Sequence, residues 1–172
     1  MEHVYLATGA STAHARIETL VKEHQVKLAR YLRRMLGDSE LALDISQEVF
    51  LAAYRTLQSD PERPLSAGWL YKTATNNAIS VLRRKRILRF SSLDRDREMR
   101  GLRIDERSVA SLDLQTALRK LPPEQVAALM LTSYAGYSSG EAAAILGTSP
   151  QAVRQRVCRA VKILRLVMLE SA

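Results

Sequence analysis

Residues 138–164, SSGEAAAILGTSPQAVRQRVCRAVKIL, leave little freedom for what the surrounding chain can be. Ser138 and Glu141 form the pattern of a capping box, in which each side chain accepts the other residue's backbone N–H at a helix start. Gly147 ends that helix, because glycine takes the left-handed conformation of a C-cap without a steric penalty. Ser149-Pro150 then caps and starts the next helix. Two helices joined by so short a turn cross closely, and Ala143 is small where they must meet. Leu146, Val153 and Val157 are the expected contacts between them. Val153, Val157, Ala160, Val161 and Leu164 make the inner stripe of the second helix. The pattern is that of a helix-turn-helix.

The outward face of the second helix then carries Gln151, Arg154, Gln155, Cys158, Arg159 and Lys162, with Arg156 at its edge. Arginine forks onto guanine O6 and N7, glutamine pairs with adenine, and lysine neutralises phosphate. The same face also suits a solvated amphipathic helix in a plain bundle. Cys158, the single cysteine, fits a small side chain near a base or a redox-sensitive thiol, and a lone cysteine is usually inert.

Charge separates these readings. The 172 residues carry a net charge of +8, which favours a polyanionic partner. Residues 1–89 hold 14 basic and 9 acidic residues, residues 90–110 hold 5 of each, and residues 111–172 hold 7 and 4. Two basic segments therefore flank a neutral one. One cysteine allows no intrachain disulfide, and His3, His14 and His24 do not group with it at metal-ligand spacing. No apolar run approaches the length of a membrane span and no signal peptide is evident, so a cytoplasmic protein is expected. There is no phosphate-cradling glycine loop, metal-spaced carboxylate set or nucleophile–base motif, so neither an enzyme nor a cofactor is expected.

Apolar residues make up 47% of the chain and aromatics only 5%, so the core is mostly aliphatic. Strong helix formers dominate, and the expected class is all-α: two small helical domains joined by a flexible linker, the second a helix-turn-helix. Residues 1–12 read as a frayed, disordered N-terminus, 13–89 as the first domain, 90–110 as the linker and 111–172 as the second domain. Helical spacing runs over 13–35, "GDS" at 37–39 stops that helix and caps a second reaching about 57, and "SDPERPLSAG" at 59–68 is a loop. A third helix follows to about 88. In the second domain, helices are expected at about 111–120, 123–134, 139–146 and 150–169, with Pro122-Pro123 opening the second of them.

The third helix, "WLYKTATNNAISVLRRKR", is amphipathic in an unusual way. On a wheel of 100° per residue, Leu70, Ala74, Ala78 and Val81 face one side. Trp69, Lys72, Asn76, Ser80 and Arg83 face the other, and Arg84, Lys85, Arg86 and Arg89 extend the positive stripe. An aromatic platform, cations and hydrogen-bonding groups together make a single-strand nucleic-acid site. Trp69 equally suits packing against the preceding loop, and Asn77, at the apolar border, suits a structural amide. On the second helix, Asp44, Gln47, Glu48, Leu51 and Arg55 share one outer face. That face is acidic in a basic protein and leaves a leucine outside. It fits either a partner surface or a solvated face.

In three stretches the chain resembles bacterial RNA polymerase sigma factors of the extracytoplasmic-function group, within the sigma-70 family. "DSELALDISQEVFLAAYRTL" is similar to the family's core-polymerase-binding helix, "GWLYKTATNNAISVLRRKR" to its −10 melting helix, and "LPPEQVAALMLTSYAGYSSGEAAAILGTSPQAVRQRVCRAVKILR" to its −35 helix-turn-helix. The resemblance implies a dissociable subunit that binds core polymerase, reads promoter −35 and −10 elements and nucleates melting. It implies that Asp44, Gln47 and Glu48 grip the β′ clamp helices and that Asn76 contacts a flipped −10 base. The loop 59–68 would hold that base, and Arg154, Gln155, Arg156 and Arg159 would read and clamp the −35 element. An anti-sigma partner is implied as well, and a place on the nucleoid when active. Three departures bear on promoter sequence rather than mechanism: "RPLSAG" lacks the bulky residue usual in the loop, Ala152 replaces a usual threonine, and Cys158 replaces a bulkier or polar residue. Other classes that fit a helix-turn-helix are a stand-alone regulator, which would normally dimerise, and a sigma mimic that titrates an inhibitor.

Overall fold

A computed structural model describes the backbone of residues 2–90 and 109–170, and side chains within 12–88 and 114–169. Its described residues form seven α-helices: α1 (Glu2–Leu36), α2 (Ser39–Ser59), α3 (Ala67–Phe90), α4 (Val109–Lys120), α5 (Pro123–Leu129), α6 (Ser139–Leu146) and α7 (Pro150–Glu170). The all-α class expected from the sequence is what the structure has. The expected linker falls largely on 91–108, outside the described residues.

Helix α1 begins at Glu2 rather than near Ala13. No proline lies between them, and the one glycine there, Gly9, costs only about 1 kcal/mol relative to alanine in a helix. The α1–α2 junction follows the sequence signal. Gly37 sits at φ +69, and its N–H reaches the Arg33 carbonyl at 2.9 Å. Asp38 then caps α2 by accepting from the Leu41 N–H at 3.1 Å. A turn this short folds α2 back along α1. Leu28, Tyr31 and Leu32 from α1 are fully buried with Val49 and Leu57 from α2 and Leu70 from α3.

In the second lobe, Pro123 starts α5, and at Met130–Tyr134 the helix widens into a single π-helical turn. The extra residue of a π turn carries Ala135 N–H to the Met130 carbonyl at 2.9 Å, a register that spacing arguments built on 3.6 residues do not foresee. The capping box of α6 forms as expected: Glu141 N–H donates to Ser138 Oγ at 3.2 Å, and Ser138 N–H to Glu141 Oε2 at 2.8 Å. Gly147, at φ +60, closes α6. Ser149 Oγ accepts the Ala152 N–H at 3.1 Å and opens α7. Ala142, Ala143 and Val153 are buried where α6 meets α7, while Leu146 and Val157 are only partly buried.

The two lobes share one hydrophobic core, which runs from Leu28 and Tyr31 through Leu70 and Ala74 to Val126, Leu131 and Val153. A ladder of tyrosine rings crosses the join. Tyr31 and Tyr71 meet edge to face at 5.0 Å between centroids, and Tyr71 and Tyr137 at 5.3 Å. Arg34 lies 5.4 Å over the Tyr134 ring, within cation–π range. Gln115 is buried and donates through Nε2 to the Arg34 carbonyl at 2.9 Å. A Cβ at Gly37 would stand 2.7 Å from Gln115 Oε1, so this glycine serves both the turn and the approach of the second lobe.

Candidate nucleic-acid and partner interfaces

Helix α7 presents the row expected of it. Val153 and Ala160 are buried. Gln151, Arg154, Gln155, Cys158, Arg159 and Lys162 are exposed, and Arg156 is partly so. The amphipathic split follows from the helical period, and the closed α6–α7 turn holds the exposed face rigid. A rigid row of guanidinium, amide and ammonium groups is what base edges and phosphates can dock to.

Helix α3 is less uniform. Lys72, Asn76, Ser80, Arg84 and Arg86 are exposed, with Leu70, Ala74 and Ala78 fully buried on the other side. Thr75 is also fully buried, and its hydroxyl pairs with Tyr31 Oη at 2.8 Å. Burial pushes the Tyr31 phenol far up, so it stays neutral and fixes α3 against α1. Three expected site residues are otherwise engaged. Trp69 is half-buried and packs against the hydrophobic core, whereas the alternative left open by the sequence was the preceding loop. Ser80 Oγ donates to the Asn76 carbonyl at 3.0 Å, a bond internal to the helix. Arg83 reaches across to the second lobe, where Nε and Nη2 both donate to Glu124 Oε1, at 2.9 and 2.6 Å. Asn77 is partly buried, as its border position suggests.

Glu124 is the residue that sequence reasoning missed. Partial burial works against its charge, but its hydrogen bond from Arg83, its own backbone N–H and the fields of Arg83 and Arg156 outweigh that, and its carboxyl lies below the ordinary value. One carboxylate thus faces an arginine from each of the two helices read as DNA-facing. It lies in the first turn of α5, where a carboxylate suits the helix dipole, and nothing near it in the sequence names Arg83 as its partner.

On α2, Asp44, Gln47, Glu48, Leu51 and Arg55 are all exposed, as their shared face requires. The structure extends that face into an open groove of about 1020 Å³ between α1 and α2. Ile17, Val21, Phe50 and Tyr54 line it, with Arg30 and Arg33 beside them. Val26 (59% exposed), Leu43 (52%) and Leu51 (53%) also line it and give it an apolar rim. Leu43 falls off the buried stripe of α2, and that was the available sequence signal for the groove. Among the described residues, no His, Cys, Asp or Glu cluster could hold a metal, and no helix is long and apolar enough to cross a membrane.

The loop between α2 and α3 is held from α1. Arg16 donates through Nη1 to the Pro61 carbonyl and through Nη2 to the Arg63 carbonyl, the latter at 2.8 Å. Neither bond has a signal in sequence periodicity, because the partners are more than forty residues apart.

An all-α chain with a polar and basic exposed helix face in one lobe and a helix-turn-helix in the other is the architecture of a two-region sigma protein. Residues 20–87 match the family model for sigma-70 region 2, and residues 111–164 match that for sigma-70 region 4. SigL of Mycobacterium tuberculosis, an ECF RNA polymerase sigma factor, is 32% identical over 95% of this chain and 95% of its own. SigE of Mycolicibacterium smegmatis, also an ECF sigma factor, is 32% identical over 94% of this chain, which spans only 65% of that protein. The chain belongs to the extracytoplasmic-function group of the sigma-70 family. Among solved structures, CnrH in complex with the cytosolic domain of CnrY is 29% identical, covers 98% of this chain and 97% of its own, and superposes with a TM-score of 0.65. RpoE from Bartonella quintana, solved with the anti-sigma factor NepR, has the same TM-score at 21% identity, covering 88% of this chain and 95% of its own, and shares the fold.

Proposed function

We propose that this chain is a dissociable promoter-specificity subunit of RNA polymerase, acting in transcription initiation in the cytoplasm and on the nucleoid. Asp44, Gln47, Glu48 and Leu51 on α2 bind the β′ clamp helices of the core enzyme. Gln151, Arg154, Gln155, Arg156, Cys158, Arg159 and Lys162 on α7 meet the −35 element. Trp69, Lys72, Asn76, Ser80, Arg83, Arg84 and Arg86 on α3 meet the −10 element as it opens, with Asn76 on a flipped base. The observation that carries this reading is the presence, in one chain, of an exposed basic and amide row on α7 and an exposed polar and basic row on α3.

Energetics support a subunit rather than a free-standing opener. Stacking averages about 1.4 kcal/mol per step, so opening about ten steps costs on the order of 14 kcal/mol. A base on an aromatic platform returns only about 1–3 kcal/mol. One helix cannot hold a bubble, and a larger machine must take the strands.

An anti-sigma protein is the second partner. The solved relative CnrH is held by the cytosolic domain of CnrY. In this chain the α1–α2 groove, with its apolar rim and Arg30 and Arg33, suits an amphipathic segment of such an inhibitor. Run-off transcription from fragmented genomic DNA, with sigma-free core and with or without this protein, tests the whole reading. Discrete new transcripts are expected. Their absence with folded protein and active core would transfer the chain to the stand-alone regulators or the inhibitor-titrating mimics.

A further inference from the structure

The segment joining α2 to α3 contains two prolines and no regular structure, yet it is tied down along its length. At its start, Asp60 N–H donates to the Thr56 carbonyl at 3.0 Å, and Asp60 Oδ1 accepts the Glu62 N–H at 3.3 Å. In its middle, Arg63 N–H reaches the Asp60 carbonyl at 3.1 Å. At its end, the Trp69 N–H meets the Ser66 carbonyl at 3.0 Å as α3 begins. Those bonds are local, and each fixes a turn without fixing where the turn sits on the protein.

Two side-chain contacts supply that placement. Leu65 packs against the hydrophobic core beside Leu20 and lines a cavity of about 530 Å³ with Thr12, Ala15, Arg16, Thr19 and Leu20. Arg16 is the polar anchor. A guanidinium presents its donors in a fixed planar fork, so holding the Pro61 and Arg63 carbonyls together fixes both the position and the tilt of the loop. Pro61 and Pro64 stiffen the backbone on either side, so a displacement at Arg16 is passed along the loop rather than absorbed.

We infer that Arg16 is a positioning residue for promoter selectivity: by clamping the Pro61 and Arg63 carbonyls to α1, it sets the geometry in which the 59–68 loop holds the −10 base. Arg16 itself touches no DNA. This rests on the role the family resemblance implies for the loop and on the one proposed for Asn76, and it assigns the loop's preference partly to a residue outside it.

The test uses the full chain in reconstituted holoenzyme, with a promoter set carrying each of the four bases in turn at every −10 position. Arg16→Ala should flatten the preference at one −10 position by about tenfold, the discrimination that one well-placed base contact carries. Preference at −35 positions and affinity for core should stay as in the wild type. Arg16→Lys, whose ammonium reaches one carbonyl at a time, should restore part of the preference. Arg16→Gln, which keeps a single donor group and removes the charge, should fall with alanine. An unchanged −10 profile in folded Arg16→Ala would overturn the assignment of Arg16 while leaving the loop's role intact. A wild-type profile with no −10 preference at all would overturn both. Uniform loss across −10, −35 and core binding, in Arg16→Ala and Arg16→Gln alike, would make Arg16 a stabilising residue only and would also overturn the inference.

Discussion

Arg83 and Glu124 join the two lobes through two hydrogen bonds onto a single carboxylate oxygen, at 2.9 and 2.6 Å. Arg83 belongs to the basic stripe of α3, so on the proposed function it would have to leave Glu124 before it could meet a DNA phosphate. Both side chains remain partly exposed, and a pair in such a setting contributes about 0.2–1 kcal/mol. Glu124→Gln should raise the fraction of separated lobes about 1.4- to fivefold, read as an increase in the small-angle scattering radius at low ionic strength. No change in radius would mean that the tyrosine ladder and Gln115 hold the lobes without help.

The same pair gives a pH dependence of known sign. The Glu124 carboxyl lies below its ordinary value in the folded chain. Its contribution is therefore complete above the unfolded value of about 4.3 and is lost as pH falls through the lower folded value. Docking should be flat between about pH 5 and 8 and weaken on the acid side of about pH 4. Glu124→Gln should remove that part of the acid response, which a scattering or fluorescence titration of the two proteins side by side would register.

Gly37→Ala should destabilise the fold for two separable reasons. An alanine at φ +69 carries a left-handed penalty of about 1–2 kcal/mol. Its Cβ would also press to 2.7 Å on Gln115 Oε1. In a Gln115→Ala background the second part disappears and the first remains, so Gly37→Ala should cost less there. Equal losses in both backgrounds, measured by urea unfolding, would remove Gln115 from the account.

Arg154→Ala should weaken −35 binding by about 1–3 kcal/mol, the worth of one bidentate base contact, with core affinity unchanged. The side chain is exposed and makes no packing contribution to the α6–α7 core, so stability should hold. Gel-shift titration with −35 probes and a separate core-binding assay decide it. Parallel loss in both would point to misfolding.

Asn76→Ala should impair strand opening more than initial docking. Asn76 is exposed on the face of α3 opposite Leu70, Ala74 and Ala78. Permanganate footprinting should show a fainter bubble at equal promoter occupancy, and a bubble of normal intensity would move the base contact elsewhere on α3.

Much of this molecule was legible because it is local. The capping box at Ser138, the left-handed Gly147 and the Asp38 cap are decided by four or five neighbouring residues, and they stand where the sequence put them. The exposed rows on α2 and α7 followed from the helical period alone. What sequence reading missed depends on partners distant along the chain. Arg83 looked like one more cation of a stripe because nothing near it names Glu124. Arg16 drew no reading from the sequence because its carbonyl partners are backbone atoms, which carry no sequence signature. Trp69 lay off the apolar stripe of α3 yet packs inward, because the start of the helix lies against the core. The π turn at Met130–Tyr134 breaks the 3.6-residue period on which the expectation of one continuous helix over 123–134 was built.

The single core that runs through both lobes has a consequence for measured affinities. Labels −35 and −10 stand about two and a half turns of DNA apart, roughly 85 Å along the duplex axis. The longest described element, α1 with 35 residues, spans only roughly 52 Å at 1.5 Å per residue. On the function proposed above, the docked arrangement competes with simultaneous engagement of the two elements, and an undocked fraction would be the one that spans them. For a binding-competent state populated to a fraction f, the apparent dissociation constant is the intrinsic one divided by f. Substitutions at the tyrosine ladder, Gln115 or Glu124 would then shift promoter affinity without touching a base, and a weak affinity of the free chain would report how rarely the core divides as much as how well the arginines fit.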